Sequence, residues 1–133
     1  MDNNILSVQN ISKKYSRLEV VSEVSFTVKS GEIVGLLGPN GAGKTTCFYI
    51  ACGLIKADKG EVLIGKQRAT KLPMHQRASL GLGYLPQEPS IFRKLTVEKN
   101  ILAVLELNKN LNKKQMMHKL EELLFEFNIE HIR

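Results

Sequence analysis

The chain has 133 residues, 43% of them hydrophobic and 24% charged, the size and balance of one ordinary globular domain. Its 19 Lys and Arg against 13 Asp and Glu leave a net charge of +6, which suits polyanionic ligands, membrane surfaces and nucleic acid about equally; the excess is scattered through Lys13, Lys14, Arg17, Arg68, Lys71, Lys113 and Lys114, as on a solvated surface. No apolar run approaches the ~18 residues of a spanning helix, Met1 leads into Asp2, Asn3 and Asn4 rather than a secretory signal, and a pair of cysteines points to a reducing, cytosolic compartment.

Ile5, Leu6, Val8 and Ile11 start an N-terminal strand, with Tyr15 following in the polar stretch SKKYSR. Val20 to Val28 is β-branched and partly alternating, and predicts a second strand that Ser30 and Gly31 terminate. The short apolar run Ile33 to Leu37 predicts a buried strand, and a helix restarts at Lys44 with Gly53 as its C-cap. Cys47 and Cys52, five apart on that helix, are poorly placed for a disulfide and read as reduced thiols in or near the core. Glu61 to Ile64 predicts another strand between Gly60 and Gly65, Pro73 can begin a short helix within Thr70 to Leu80, and Leu82 to Leu85 is a fourth apolar run halted by Pro86. Thr96 caps a helix with Val97, Ile101, Val104 and Leu105 on one face; Asn112 caps another with Met116, Leu120, Leu123, Leu124 and Phe127. Both stripes are expected to be buried. His75, His118 and His131 are dispersed without metal-ligand spacing.

The densest chemical signal lies between the third predicted strand and the first predicted helix. Gly38, Gly43, Lys44 and Thr45 satisfy the spacing G-x-x-x-x-G-K-T. Gly38, Gly41 and Gly43 tolerate positive φ, so that with Pro39, Asn40 and Ala42 they can turn successive amides inward around phosphate oxygens. The helix start at Lys44, Thr45 and Thr46 aims unpaired amides and the positive dipole end at the same place. Lys44 adds a mobile cation for the β and γ phosphates, and the Thr45 hydroxyl can ligate magnesium. The expectation is a nucleoside triphosphate site that shares a magnesium ion.

SGEIVGLLGPNGAGKTT, then GLIKADKGEVLI and GLGYLPQE, resemble the first half of an ABC-transporter ATPase. More narrowly, Leu72 to Glu106 resembles the ATPase subunits of bacterial lipopolysaccharide export, with the branched-chain amino acid importer ATPases as the runner-up. The resemblance covers essentially all 133 residues and implies an α/β fold: a P-loop core of ABC ATPase type, an antiparallel N-terminal β portion and the start of a helical subdomain. It implies that Tyr15 stacks on adenine, that Gln87 reaches the magnesium ion, and that Glu88, Ser90, Ile91, Phe92 and Arg93 contact a transmembrane permease. It further implies a second ATPase subunit as partner, no nucleic acid, and a cytoplasmic position peripheral on the inner face of the bacterial inner membrane. Ile64-Gly65-Lys66 departs from the family, whose members usually place Asp or Asn with Gly in that hairpin turn.

The family also needs an LSGGQ-like segment, an apolar strand ending in Asp-Glu and a later His, none of which follows Gln87 in these residues. Residues 1–133 therefore read as a partial ATP-binding domain, a truncated form expected to hold MgATP with no complete catalytic set. A strand at Ile33 to Leu37 without its neighbours is expected to expose hydrogen-bonding edges and apolar faces. Two rivals are a retained non-hydrolysing nucleotide-binding regulator and a nucleic-acid-associated repair ATPase.

Overall fold

In a computed structural model of the chain, residues 5–88 and 90–133 are described. The polar opening at Met1 to Asn4, on which the absence of a secretory signal was read, lies outside them, as does Pro89. The chain divides into two compact units, Met1–Tyr84 and Leu85–Arg133.

The first unit is built on a four-stranded antiparallel sheet of β1 (Leu6–Tyr15), β2 (Leu18–Val28), β3 (Lys59–Ile64) and β4 (Gln67–Arg68), in the spatial order β2-β1-β3-β4. Strands β1 and β2 form a hairpin closed by Ser16 and Arg17, with Tyr15 opposite Leu18. Bulges interrupt that ladder, and the amides they displace find hydroxyls: Asn10 N–H donates to Ser25 Oγ at 2.8 Å and Glu23 N–H to Ser12 Oγ at 3.0 Å. Gly65 and Lys66 form the two-residue connection between β3 and β4, with Ile64 opposite Gln67. One face of the sheet supplies Val8, Ile11, Val21 and Val62 to the core, against Cys47, Ile50 and Ala51 of helix α1 (Lys44–Cys52).

Local signals held where a side chain or glycine fixes an end. Gly53 ends α1 in the left-handed region at φ 84°, its amide donating to the Ile50 carbonyl. Pro73 precedes α2 (Met74–Ser79). In the second unit, Thr96 Oγ1 accepts from the Lys99 amide at the start of α3 (Val97–Leu105). Asn112 and Gln115 form a reciprocal capping box at the start of α4 (Lys113–Glu126).

The run Ile33–Leu37 departs from the sequence reading, lying in no ladder, with Ile33 fully exposed and Leu37 92% exposed. Among the described residues no strand pairs with it, and of its apolar side chains only Leu36 packs, half-buried, against the core. Leu82–Leu85 is likewise unpaired, and Leu85 is 93% exposed. The helical stripes are narrower than expected: Leu120 and Leu124 are buried, whereas Val104 and Phe127 are exposed. Phe127 is the residue that ends α4, past the last turn whose stripe is covered. Cys47 and Cys52 are buried free thiols, and no described helix is long and apolar enough to cross a membrane.

Candidate functional site

The glycine-rich segment runs from an exposed coil into the first turn of α1, and Asn40 to Thr46 line a cavity of about 280 Å³ together with Val20 of β2. Gly41 and Gly43 both adopt φ 80°, and the latter directly precedes α1. Gly43 also has no room for a side chain. A Cβ there would lie 2.3 Å from the Val20 carbonyl oxygen and 3.2 Å from Val21 Cγ2, so the loop is seated directly on β2. The first intrahelical bond, Cys47 N–H to the Gly43 carbonyl at 2.9 Å, leaves the preceding amides of α1 without intrahelical partners.

Lys44 is folded back over this loop. Its ammonium donates to the carbonyl oxygens of Gly38 and Pro39 at 2.6 and 2.7 Å. The cation is thus held against the loop by bonds that anionic oxygens can replace. Thr45 is exposed and lines the cavity beside it, presenting a hard oxygen donor. The opposite end of α1 is as firmly held. The guanidinium of Arg77, only 2% exposed, donates to the carbonyls of Ile50, Ala51, Leu72 and Thr70 at 2.7, 2.8, 2.8 and 3.1 Å. Burial pushes its pKa below the ordinary arginine value and pushes the Cys47 and Cys52 thiols above theirs, which makes them poor thiolates.

Tyr15, 46% exposed, ends β1 opposite Leu18, two residues before the Val20 that supports the loop. The Lys13 ammonium lies 5.6 Å from its ring centroid and is itself fixed by Asp58 Oδ1 at 2.8 Å. Asp58 Oδ2 also accepts from the Lys14 amide, and these two bonds hold its carboxyl below the usual carboxylate range.

The other expected site residues belong to the second unit. Gln87, Glu88, Ser90, Ile91, Phe92 and Arg93 are all exposed, on the segment leading to α3. Ile91 and Phe92, each more than 60% exposed, border an open apolar groove of about 330 Å³ with Ile101, Val104, Leu105 and Leu123. Asn100 shapes this rim. Its Oδ1 accepts from the Phe92 amide at 2.8 Å, and its Nδ2 donates to the carbonyls of Phe92, Leu95 and Thr96. With its backbone bound on both sides, Phe92 turns its ring outward. Sequence reasoning missed both Arg77 and Asn100; an amide four residues past a helix cap is a weak local signal for the latter, and nothing local marks the former. The described residues contain no cluster of His, Cys, Asp and Glu able to hold a metal.

A glycine-rich loop seated on a β-strand, a lysine bent over it and a helix N-terminus beneath it are the parts of a nucleotide-binding cassette, and the chain belongs to the ABC transporter family, whose pattern matches residues 21–133. It is 56% identical over 130 residues to the lipopolysaccharide export system ATP-binding protein LptB of Haemophilus influenzae and 51% identical over 128 residues to that of Escherichia coli K12. These matches take in 98% and 96% of this chain, and 54% and 53% of those proteins. Among solved structures, an ATP-binding subunit of an ABC transporter superposes with a TM-score of 0.79 at 31% identity, over 97% of this chain and 52% of the other. An ATP-binding cassette of an ABC transporter gives 0.80 at 26% identity, over 99% and 56%. The chain spans about half the length of the curated relatives it matches.

Proposed function

We propose that residues 38–46 grip the triphosphate of ATP with its magnesium ion, and that the chain is the ATP-binding part of an ABC transporter ATPase serving lipopolysaccharide export. The loop itself carries the reading: unpaired amides at the start of α1, Gly43 pressed against Val20, and an ammonium held against the loop by two replaceable carbonyl bonds. On binding, Lys44 exchanges those carbonyls for β and γ phosphate oxygens. Thr45 supplies a hydroxyl oxygen suited to magnesium, which would neutralise phosphate charge, and the Gln87 amide oxygen is a donor of the same hard kind. Tyr15 offers its ring to adenine, with the Lys13 cation beside it. The identity to the export relatives supports the cargo. The exposed Ile91 and Phe92, the apolar groove beside them, and the flanking Glu88, Ser90 and Arg93 support a permease contact at a cytoplasmic membrane face. A second ATPase subunit is the other expected partner, and nucleic acid is not one.

These 133 residues by themselves bind MgATP and turn it over negligibly. The residues lining the loop cavity include no carboxylate that could take a proton from the attacking water. The test is titration with a fluorescent ATP analogue, with and without magnesium, alongside phosphate release. Saturable magnesium-dependent binding, weakened about 100-fold by Lys44→Ala, is expected, since charge-assisted phosphate contacts are among the strong ones. Binding indifferent to that substitution would overturn the site, and brisk turnover abolished by it would overturn the statement on hydrolysis.

A further inference from the structure

We propose that Arg77 is a positioning residue for triphosphate binding, its buried guanidinium fixing the far end of α1 so that the helix presents its N-terminal amides at the angle the phosphates require. The inference rests on the reading of residues 38–46 as the triphosphate site. Helix α1 has nine residues, about 13 Å of rigid rod, so a tilt allowed at one end becomes a displacement at the other. Its N-terminal end is seated through Gly43 on the Val20 carbonyl. Its C-terminal end is held by the two bonds from Arg77 Nη1 to Ile50 and Ala51, while Nε and Nη2 tie the same guanidinium to Leu72 and Thr70.

The fit at that end is tight. A Cβ on Gly53 would meet Arg77 Nε at 2.7 Å and the Leu72 carbonyl at 3.0 Å. The Ile50 and Ala51 carbonyls carry the negative end of the helix dipole, and a cation beside them complements it. Among the described residues no carboxylate pairs with Arg77, so its charge is devoted to backbone oxygens and adds to the positive potential along the axis that leads to the loop. Only a fork-shaped donor can reach four carbonyls on two segments, so lysine keeps the charge and loses the geometry.

The experiment compares Arg77→Lys and Arg77→Gln with the parent in binding MgATP and adenosine, at a temperature where urea melts show each variant folded. The expected result is a loss of MgATP affinity of about tenfold for lysine and more for glutamine, with adenosine affinity unchanged, as for the removal of charged hydrogen bonds that orient phosphate contacts. A purely structural role would weaken both ligands together, and that result, or unchanged MgATP binding by a folded variant, would overturn the proposal. Amide exchange in the parent needs no variant. MgATP, but not adenosine, is expected to slow exchange at Ala51, Cys52 and Gly53, the end that Arg77 holds; exchange there that ignores MgATP would overturn the proposal. Failure of the parent to bind MgATP at all would instead sink the site reading on which it rests.

Discussion

Alanine at Gly43 and alanine at Gly41 add the same methyl group at the same backbone angle, φ 80°, and differ in what that methyl meets. A left-handed conformation costs an L-residue about 1–2 kcal/mol. At Gly41 nothing lies within 4 Å of the new carbon, so that conformational cost is the whole effect. At Gly43 the carbon would stand 2.3 Å from the Val20 carbonyl oxygen, where a C···O contact ordinarily lies near 3.3 Å. About 1 Å of separation must be recovered by moving β2 or the loop, and such overpacking adds about 1–3 kcal/mol. Gly43→Ala is therefore expected to destabilise the first unit by about 2–5 kcal/mol in total, against about 1–2 kcal/mol for Gly41→Ala. Urea denaturation followed by circular dichroism measures both, with equal slopes required for the comparison. A Gly43→Ala variant no less stable than Gly41→Ala would mean that the loop is not seated on β2 as described.

Two further outcomes follow from exposure and from charge. Because Ile33 and Leu37 lie almost wholly in solvent, the double replacement Ile33→Lys, Leu37→Lys should change the unfolding free energy from urea melts by no more than neutral surface changes do, about 0.5 kcal/mol, while reducing self-association seen by light scattering; a large loss of stability would show that the segment is covered. The Asp58 carboxyl is depressed in the folded chain by the Lys13 ammonium and then by the Lys14 amide. Its stabilising effect is complete above the unfolded carboxylate pKa of about 3.9 and is lost as pH falls through the lower folded value. Asp58→Asn should therefore flatten the acid limb of the stability profile below about pH 4, and an unchanged limb would contradict the ion pair.

The parts of the fold legible in the sequence are those that a few neighbouring residues decide. Asn112 with Gln115, Thr96 and Gly53 each set a helix end through a contact within four residues, and each stands where the pattern puts it. The glycine-rich loop is legible for the same reason, since its geometry depends on glycines and on the helix start that follows them. Ile33–Leu37 shows the converse: an apolar run specifies a strand only where ladder partners lie beside it, and none does among the described residues. Strand β4, with two residues, is too short to carry a period. Arg77 was illegible because its partners at Ile50 and Ala51 are 27 and 26 residues away, a relation that only the packed helix creates. Val104 was read as core because helical spacing gives the face but not what covers it; it borders the open groove instead.

The central claim is that the amides around Gly43 face a triphosphate. Amide chemical shifts of uniformly 15N-labelled protein, recorded as MgATP is added, address it directly. The account predicts that the largest changes fall on Gly41, Ala42, Gly43, Lys44, Thr45 and Thr46, that AMP produces them only weakly, and that Lys44→Met suppresses them. Shifts that spare this stretch while appearing elsewhere, or that AMP reproduces in full, would contradict it.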